Sequence, residues 1–158
     1  MTIRSPNRVS HRALLTLKAP AEAVFPLLCP VAESRWVQGW APSLVLSHSG
    51  QVERDCVFVT GSAPEDSTWI VSRHDPVGFQ LEMFKFTPNH SVGRLEISVS
   101  AAQTHTAVST MSVTTTYTSL GNRGNGFVQD FTEPRYLESM HHWESALNHY
   151  LATGEKLA

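Results

Sequence analysis

Histidine is the residue type in this sequence that most readily suggests chemistry, because eight are present and imidazole both binds metals and carries protons. His142 and His149 share one face of a predicted helix, but seven residues separate them by about 10 Å along the axis, too far to bind one ion. His141 and His142 are adjacent and point about 100° apart. No HExxH motif and no cysteine cluster occurs. We therefore predict no metal site and no bound cofactor.

Nucleophilic and phosphate-binding motifs are also missing from the sequence. Cys29 and Cys56 do not form a CxxC pair and lie among apolar neighbours, which indicates buried free thiols. No nucleophile elbow is present that would anchor a catalytic triad. The glycine-rich stretch GNRGNG, residues 121–126, lacks both the P-loop lysine with its hydroxyl residue and the GxGxxG spacing. We interpret this stretch as a linker.

Length and composition limit the classes of protein to consider. A chain of 158 residues suits one domain, and we expect a flexible leader at 1–9, one domain at 10–153 and a tail at 154–158. The net charge of −2 gives no electrostatic reason to expect nucleic acid as a partner. No run of residues reaches a signal-peptide core or a transmembrane span, so we expect a cytoplasmic protein without a membrane span. Small molecules and proteins remain as partners, and a homodimer stays open.

The elements that must position any site follow from hydrophobic periodicity and turn signals. Alternating apolar residues predict a first strand over 10–19, and two short helices follow, the second over 32–38 and ending at Gly39. Further strands are predicted at 43–49, 54–61, 67–74, 78–87, 92–102 and 106–119. Their short connections favour antiparallel pairing of neighbours.

The last third of the chain, about 130–153, predicts one long amphipathic helix. Leu137, Met140, Leu147 and Leu151 recur at helical spacing, and such a helix must bury its apolar stripe against another layer. About 20 residues span roughly 30 Å, which is long enough to cross a sheet. The predicted fold is therefore α+β: a curved antiparallel sheet of about seven strands, two short helices, and a long C-terminal helix over a cavity.

The alternation of side chains along the strands predicts which of them face that cavity. Its lining should be mostly apolar, and bulges would reverse the orientation of every residue beyond them. The residues that we expect to contact a ligand are Trp36, Phe58, Trp69, Leu81, Met83, Tyr117, Met140, Trp143 and Leu147. These residue types also make up the ordinary core of a helix packed on a sheet. Tyr117, His48 and Arg73 are the few polar side chains that the alternation could direct inward, and they are the candidate catalytic residues.

The order of these elements carries a resemblance to a known superfamily. A strand is followed by APAEAVFPLLCPVAESRWVQGW at 19–40, then by six strands and a closing helix that ends in ALNHYLATGE at 146–155. This arrangement, over about 10–153, resembles the START-like superfamily, also called SRPBCC, which has a helix-grip fold. Its members include lipid and sterol carriers, pathogenesis-related and pollen-allergen proteins, polyketide cyclases and aromatases, and co-chaperones. The resemblance implies a cavity beneath the C-terminal helix and assigns no catalytic residue.

Three functions are compatible with the sequence. The first, which we expect, is a binding protein that holds a small, mostly hydrophobic molecule between the sheet and the C-terminal helix. The second is an enzyme of the cyclase, aromatase or dehydratase kind that uses the same cavity without a metal. The third is a protein-interaction module, like the co-chaperones, with a closed core and no ligand. A measured cavity would separate the third function from the other two.

Overall fold

Seven strands form one antiparallel sheet in the computed structural model, which describes residues 1–61, 66–101 and 107–157. The strands are β1 (Arg8–Leu17), β2 (Leu44–Leu46), β3 (Val57–Thr60), β4 (Ser67–Asp75), β5 (Gln80–Thr87), β6 (Ser91–Ala101) and β7 (Ser109–Ser119). Their order in the sheet is β1-β7-β6-β5-β4-β3-β2. Strands β2 to β7 therefore form a meander, and β1 pairs with β7 at one edge of the sheet while β2 forms the other edge. The predicted α+β helix-grip architecture is confirmed, although the strand ends predicted at 102 and 106 lie outside the described residues.

The first strand and the short helices differ in their bounds from the prediction. Strand β1 begins at Arg8 rather than at residue 10, because its pairing with β7 continues to Thr118. Helices α1 (Ala21–Val24) and α2 (Pro30–Glu33) flank a 3₁₀ turn at Phe25–Leu27. The helix predicted over 32–38 is thus wrong in position, since α2 begins at its proline, where a helix needs no N–H donor.

Residues 122–130 form helix α3 (Asn122–Asp130), so the interpretation of 121–126 as a linker is wrong. Glycine weakens a helix by about 1 kcal/mol per residue, and close packing explains why the helix forms nevertheless. A methyl group on Gly124 would lie 1.9 Å from the carbonyl oxygen of His90, so the helix rests directly on the β5–β6 turn. The Phe127 ring lies 5.0 Å from the His90 ring and 4.7 Å from the Tyr117 ring, between centroids.

The long C-terminal helix α4 covers Glu133–Thr153. Thr132 occupies the N-cap position and Pro134 lies in the first turn, so the start is three residues later than predicted. The end is as predicted, with Gly154 in the left-handed conformation at φ 73°. The buried stripe is rotated from the predicted one: Leu137 is 45% exposed, whereas Tyr136 is 3% exposed.

Side chains of α4 hold the helix on the edge strand β1. The Thr16 amide donates to Glu144 Oε2 at 2.8 Å, and the Lys18 amide donates to Asn148 Oδ1 at 2.8 Å. Asn148 Nδ2 in turn donates to the Thr16 carbonyl at 2.9 Å. These bonds satisfy edge-strand groups that would otherwise be open to another strand. They also fix the second half of α4, where Leu147 is fully buried.

The concave face of the sheet carries the core, as the alternation of side chains predicted. Its fully buried or nearly buried members include Leu81, Met83, Ile97, Met111 and Val113. Cys29 and Cys56 are buried free thiols. Among the helices of the described ranges, none is long and apolar enough to cross a membrane.

Candidate functional site

A pocket of about 410 Å³ lies between the sheet and the first half of α4. Strands β4 to β7 provide one wall, and helices α3 and α4 provide the other. Its aromatic lining consists of six side chains: Trp69, Tyr117, Phe127, Phe131, Tyr136 and Trp143. A volume of this size is within the range of small-molecule sites, about 300 to 1,000 Å³.

One row of residues across four strands forms the floor of the pocket. Trp69 on β4 lies opposite Lys85 on β5, Lys85 lies opposite Gly93 on β6, and Gly93 lies opposite Tyr117 on β7. Because paired residues share a face of the sheet, all four belong to the concave side. A methyl group on Gly93 would lie 2.7 Å from Tyr117 Cε1, so the tyrosine ring covers the glycine backbone.

Lys85 is the charged residue of this floor. It follows Leu81 and Met83 at intervals of two, so it faces the concave side with them. Its Nζ lies 5.2 Å from the centroid of the Trp69 ring, within the range of a cation–π contact. Burial lowers the pKa of Lys85. Among the described residues, no carboxylate forms an ion pair with it.

The hydroxyl groups of the pocket differ in how they are bonded. Tyr136 Oη donates to the Val113 carbonyl at 2.9 Å and accepts from Thr115 Oγ1 at 3.3 Å. Burial raises the pKa of both Tyr117 and Tyr136, so both phenols stay neutral below pH 10. The Tyr117 ring makes edge contacts with Phe127 and Phe131, at centroid distances of 4.7 and 4.9 Å. These contacts fix its orientation.

The α3–α4 junction forms the outer rim of the pocket. Asp130, Arg135 and Ser139 line the pocket and are exposed. Arg135 Nη1 donates to the Asp130 carbonyl at 3.4 Å. The rim is therefore polar, whereas the interior is mostly apolar.

The structure brings some of the predicted ligand-contact residues together at this pocket and separates others from it. Trp69, Tyr117, Met140 and Trp143 line it. The five that do not are Trp36, Phe58, Leu81, Met83 and Leu147. Phe58 shows the reason, because its ring is stacked on Trp69 at 5.4 Å and is shielded from the pocket. Trp36 instead lines a separate cavity of about 320 Å³ beside α4.

Two of the three candidate catalytic residues lie away from the pocket. His48 is exposed in the turn after β2, because the strand ends at Leu46. Its backbone amide donates to Glu53 Oε1. The expectation that His48 faces the cavity is therefore wrong. Tyr117 is the candidate that lines the pocket, and its catalytic role stays a prediction.

A bulge in β4 turns Arg73 outward. Val71 pairs with Met83, but Arg73 pairs with Glu82, so Ser72 is an extra residue in this strand. The Arg73 side chain is 58% exposed and lies 3.9 Å from Asp75 on the outer side. The expectation that Arg73 points inward is wrong for this reason.

Sequence reasoning missed Lys85 as a pocket residue. The signal was present, because Lys85 lies in the strand predicted over 78–87 with the same alternation as Leu81 and Met83. A lysine in a strand is usually solvent-exposed, and for this reason Lys85 was not predicted to line the pocket. Phe127 and Phe131 were missed because α3 was interpreted as a linker. In the described residues, no group of three His, Cys, Asp or Glu side chains is placed to hold a metal ion.

No protein-family model matches this sequence, and no curated protein matches it either. Solved structures do match. Norcoclaurine synthase from Thalictrum flavum is similar over 94% of this chain and 89% of its own, with TM-score 0.66 and 10% identity. Ara h 8.0201 is similar over 92% of this chain and 99% of its own, with TM-score 0.61 and 12% identity. The di-domain ARO/CYC protein BexL, from the BE-7585A biosynthetic pathway, is similar over 92% of this chain and 46% of its own, with TM-score 0.60 and 16% identity.

These similarities show the fold. The chain has a helix-grip fold, as the order of its elements predicted. Because this fold carries enzymes such as norcoclaurine synthase as well as other proteins, it does not by itself select a function.

Proposed function

We propose that this protein binds a small, mostly hydrophobic molecule in the pocket between the sheet and the first half of α4. The observation that carries the proposal is the aromatic lining of a pocket of about 410 Å³ with an exposed rim. Apolar walls with a few placed polar groups are the usual form of small-molecule sites.

The pocket is preformed, which favours binding. Tyr117 is held by the rings of Phe127 and Phe131, and Tyr136 is held by its hydrogen bonds to Val113 and Thr115. A ligand therefore has few side chains to order, and ordering each would cost about 0.5 to 1.5 kcal/mol. Burial of its apolar surface contributes about 25 cal/mol for each Å² removed from water.

A cyclase-like or dehydratase-like enzyme is the second candidate. It is favoured by Lys85 and Tyr117, which lie in one row across the floor with only Gly93 between them. An amine with a lowered pKa can accept or donate a proton, and a neutral phenol can donate a hydrogen bond to a developing oxyanion. Two of the similar structures are named for enzymatic or biosynthetic roles, norcoclaurine synthase and ARO/CYC BexL.

Ligand binding is tested with the purified protein. Native mass spectrometry should detect a co-purified small molecule, or a panel of lipids, sterols and aromatic compounds should raise the melting temperature. Leu95→Trp, which places a large ring in the pocket, should abolish these effects. Leu14→Trp on the exposed outer face of β1 is the matched control. Absence of any bound molecule and of any thermal shift in the unaltered protein would refute the proposal.

A further inference from the structure

Lys85 on the pocket floor has no ion-pair partner among the described residues. We infer that the ligand is a small apolar carboxylic acid, and that Lys85 binds its carboxylate. This inference rests on the proposed function, because it names the chemical class of molecule that the pocket takes.

The environment of Lys85 is the first observation. Its ammonium group lies over the Trp69 ring at 5.2 Å, and the ion pairs of the described residues all lie elsewhere. A cation that is removed from water without a counter-ion is unfavourable, and an anionic ligand would compensate it.

The distribution of the other charges is the second observation. The guanidinium group of Arg94 is bonded to Glu82 on the outer face of the sheet, so it does not add to the interior charge. Asp130 and Arg135 lie at the exposed rim and are opposite in sign. The interior of the pocket therefore holds one positive charge, that of Lys85, which suits a monoanion.

The position of Tyr117 beside Lys85 is the third observation. Gly93 separates the two residues in the row, and the Tyr117 ring covers the Gly93 backbone, so the ring lies on the Lys85 side of its strand. The Tyr117 hydroxyl makes no hydrogen bond to any residue in the described ranges, so it is available to a ligand. The Tyr136 hydroxyl already donates to the Val113 carbonyl and accepts from Thr115. A carboxylate in the pocket that contacts both Lys85 and the Tyr117 hydroxyl would accept from both, with its apolar part against the aromatic wall.

A carboxylate fits better than a phosphate. A phosphate carries up to two charges and is usually bound by several donors, often an arginine fork or a helix N-terminus. Lysine is a point charge with three donors and makes no bidentate fork. One lysine and one phenol match the two oxygens of a carboxylate.

Matched acids and amides test the inference. The probes are 2-naphthoate with 2-naphthamide and decanoate with decanamide, each titrated into the full chain while tryptophan fluorescence is recorded, since Trp69 and Trp143 line the pocket. We expect at least one acid to bind about tenfold or more tightly than its amide, as a charge-assisted hydrogen bond provides. The aromatic and the linear pair then show which shape of acid the pocket takes.

Variants of Lys85 assign the preference to this residue. Lys85→Met should weaken binding of the preferred acid about tenfold and leave the amide within about twofold. Lys85→Gln, which keeps a hydrogen-bond donor without the charge, should do the same. Lys18→Met removes an exposed lysine just after β1 that does not line the pocket, and it should leave both affinities unchanged.

The outcomes separate this inference from the proposed function. Equal binding of acid and amide by the unaltered protein overturns the inference and leaves the proposed function in place. Parallel loss of both ligands in Lys85→Met and Lys85→Gln also overturns it, because Lys85 would then shape the pocket rather than pair with an anion. If no probe binds and no molecule co-purifies, both fail.

Discussion

Lys85 and Gly93 face each other across the β5–β6 pair on the concave side of the sheet. A methyl group on Gly93 would lie 3.4 Å from Lys85 Cβ and 2.7 Å from Tyr117 Cε1. The missing side chain therefore leaves room for the Tyr117 ring over Gly93, beside Lys85. The glycine thus lets the two polar residues that could contact a ligand occupy neighbouring positions on the floor.

Gly93→Ala should destabilise the protein by about 1 to 3 kcal/mol, as overpacking typically does, because the Tyr117 ring is held between Phe127 and Phe131. Urea denaturation measures this loss. Combination with Tyr117→Ala removes the atom that is contacted, so the double variant should be more stable than the sum of the two single effects predicts. Strictly additive effects would contradict the contact.

The two glycines of α3 provide a second, matched prediction. Gly124→Ala should destabilise the protein by more than about 2 kcal/mol, because the new methyl group would lie 1.9 Å from the backbone oxygen of His90. A methyl group on Gly126 meets nothing within 4 Å, so Gly126→Ala should stabilise the helix by up to about 1 kcal/mol. Equal effects at both positions, measured by urea denaturation, would show that α3 does not rest on the β5–β6 turn.

These glycines also show what the sequence could predict and where it failed. The sheet and the orientation of residues such as Met83 were predictable, because a period of two and short connections determine them. The bulge at Ser72, which turns Arg73 outward, leaves no mark in the hydrophobic pattern. Helix α3 was missed because tertiary packing of Gly124 outweighs its low helix propensity. Lys85 was missed because a strand lysine is usually solvent-exposed, although the alternation that places Met83 on the concave face places Lys85 there as well.

Glu33 should make stability depend on pH. Burial in α2 raises the pKa of its carboxyl from 4.5 to about 8. Between these values the unfolded chain has released the proton that the folded protein still holds, so stability falls as pH rises through this range, by up to about 1.4 kcal/mol per pH unit. Glu33→Gln is neutral throughout and should lose this dependence, whereas Glu22→Gln at an exposed site should keep it. Parallel stability curves for all three proteins between pH 5 and 8 would refute this expectation.

The anchoring of α4 on β1 is tested one amide at a time. Asn148→Ala should expose the Lys18 amide, and Glu144→Ala should expose the Thr16 amide, because each amide donates to that side chain. The loss of the hydrogen bonds should lower stability by about 1 to 3 kcal/mol in each variant. Hydrogen exchange resolved by residue measures the protection of both amides. Each variant serves as the control for the other, and an unchanged exchange rate at the expected amide would contradict the anchoring.

The pH dependence of acid binding gives the last prediction, which follows from the inferred role of Lys85. Burial lowers the pKa of Lys85 in the free protein, and a bound carboxylate would raise it again. At pH values above the pKa of the acid itself, affinity for 2-naphthoate should therefore be constant up to the pKa of the free lysine and should fall beyond it, by up to about tenfold per pH unit. Affinity for 2-naphthamide should not change, since the amide has no charge to pair with the ammonium group.

The same titration includes controls for the other ionisable groups that line the pocket. Tyr117 and Tyr136 have raised pKa values and stay neutral below pH 10, and Arg94 is paired with Glu82. Asp130 and Arg135 at the rim are still present in Lys85→Met, so the pH profile of that variant measures their contribution. After this profile is subtracted, the fall in 2-naphthoate affinity should remain. A fall of equal size in Lys85→Met would show that the lysine on the pocket floor does not cause it.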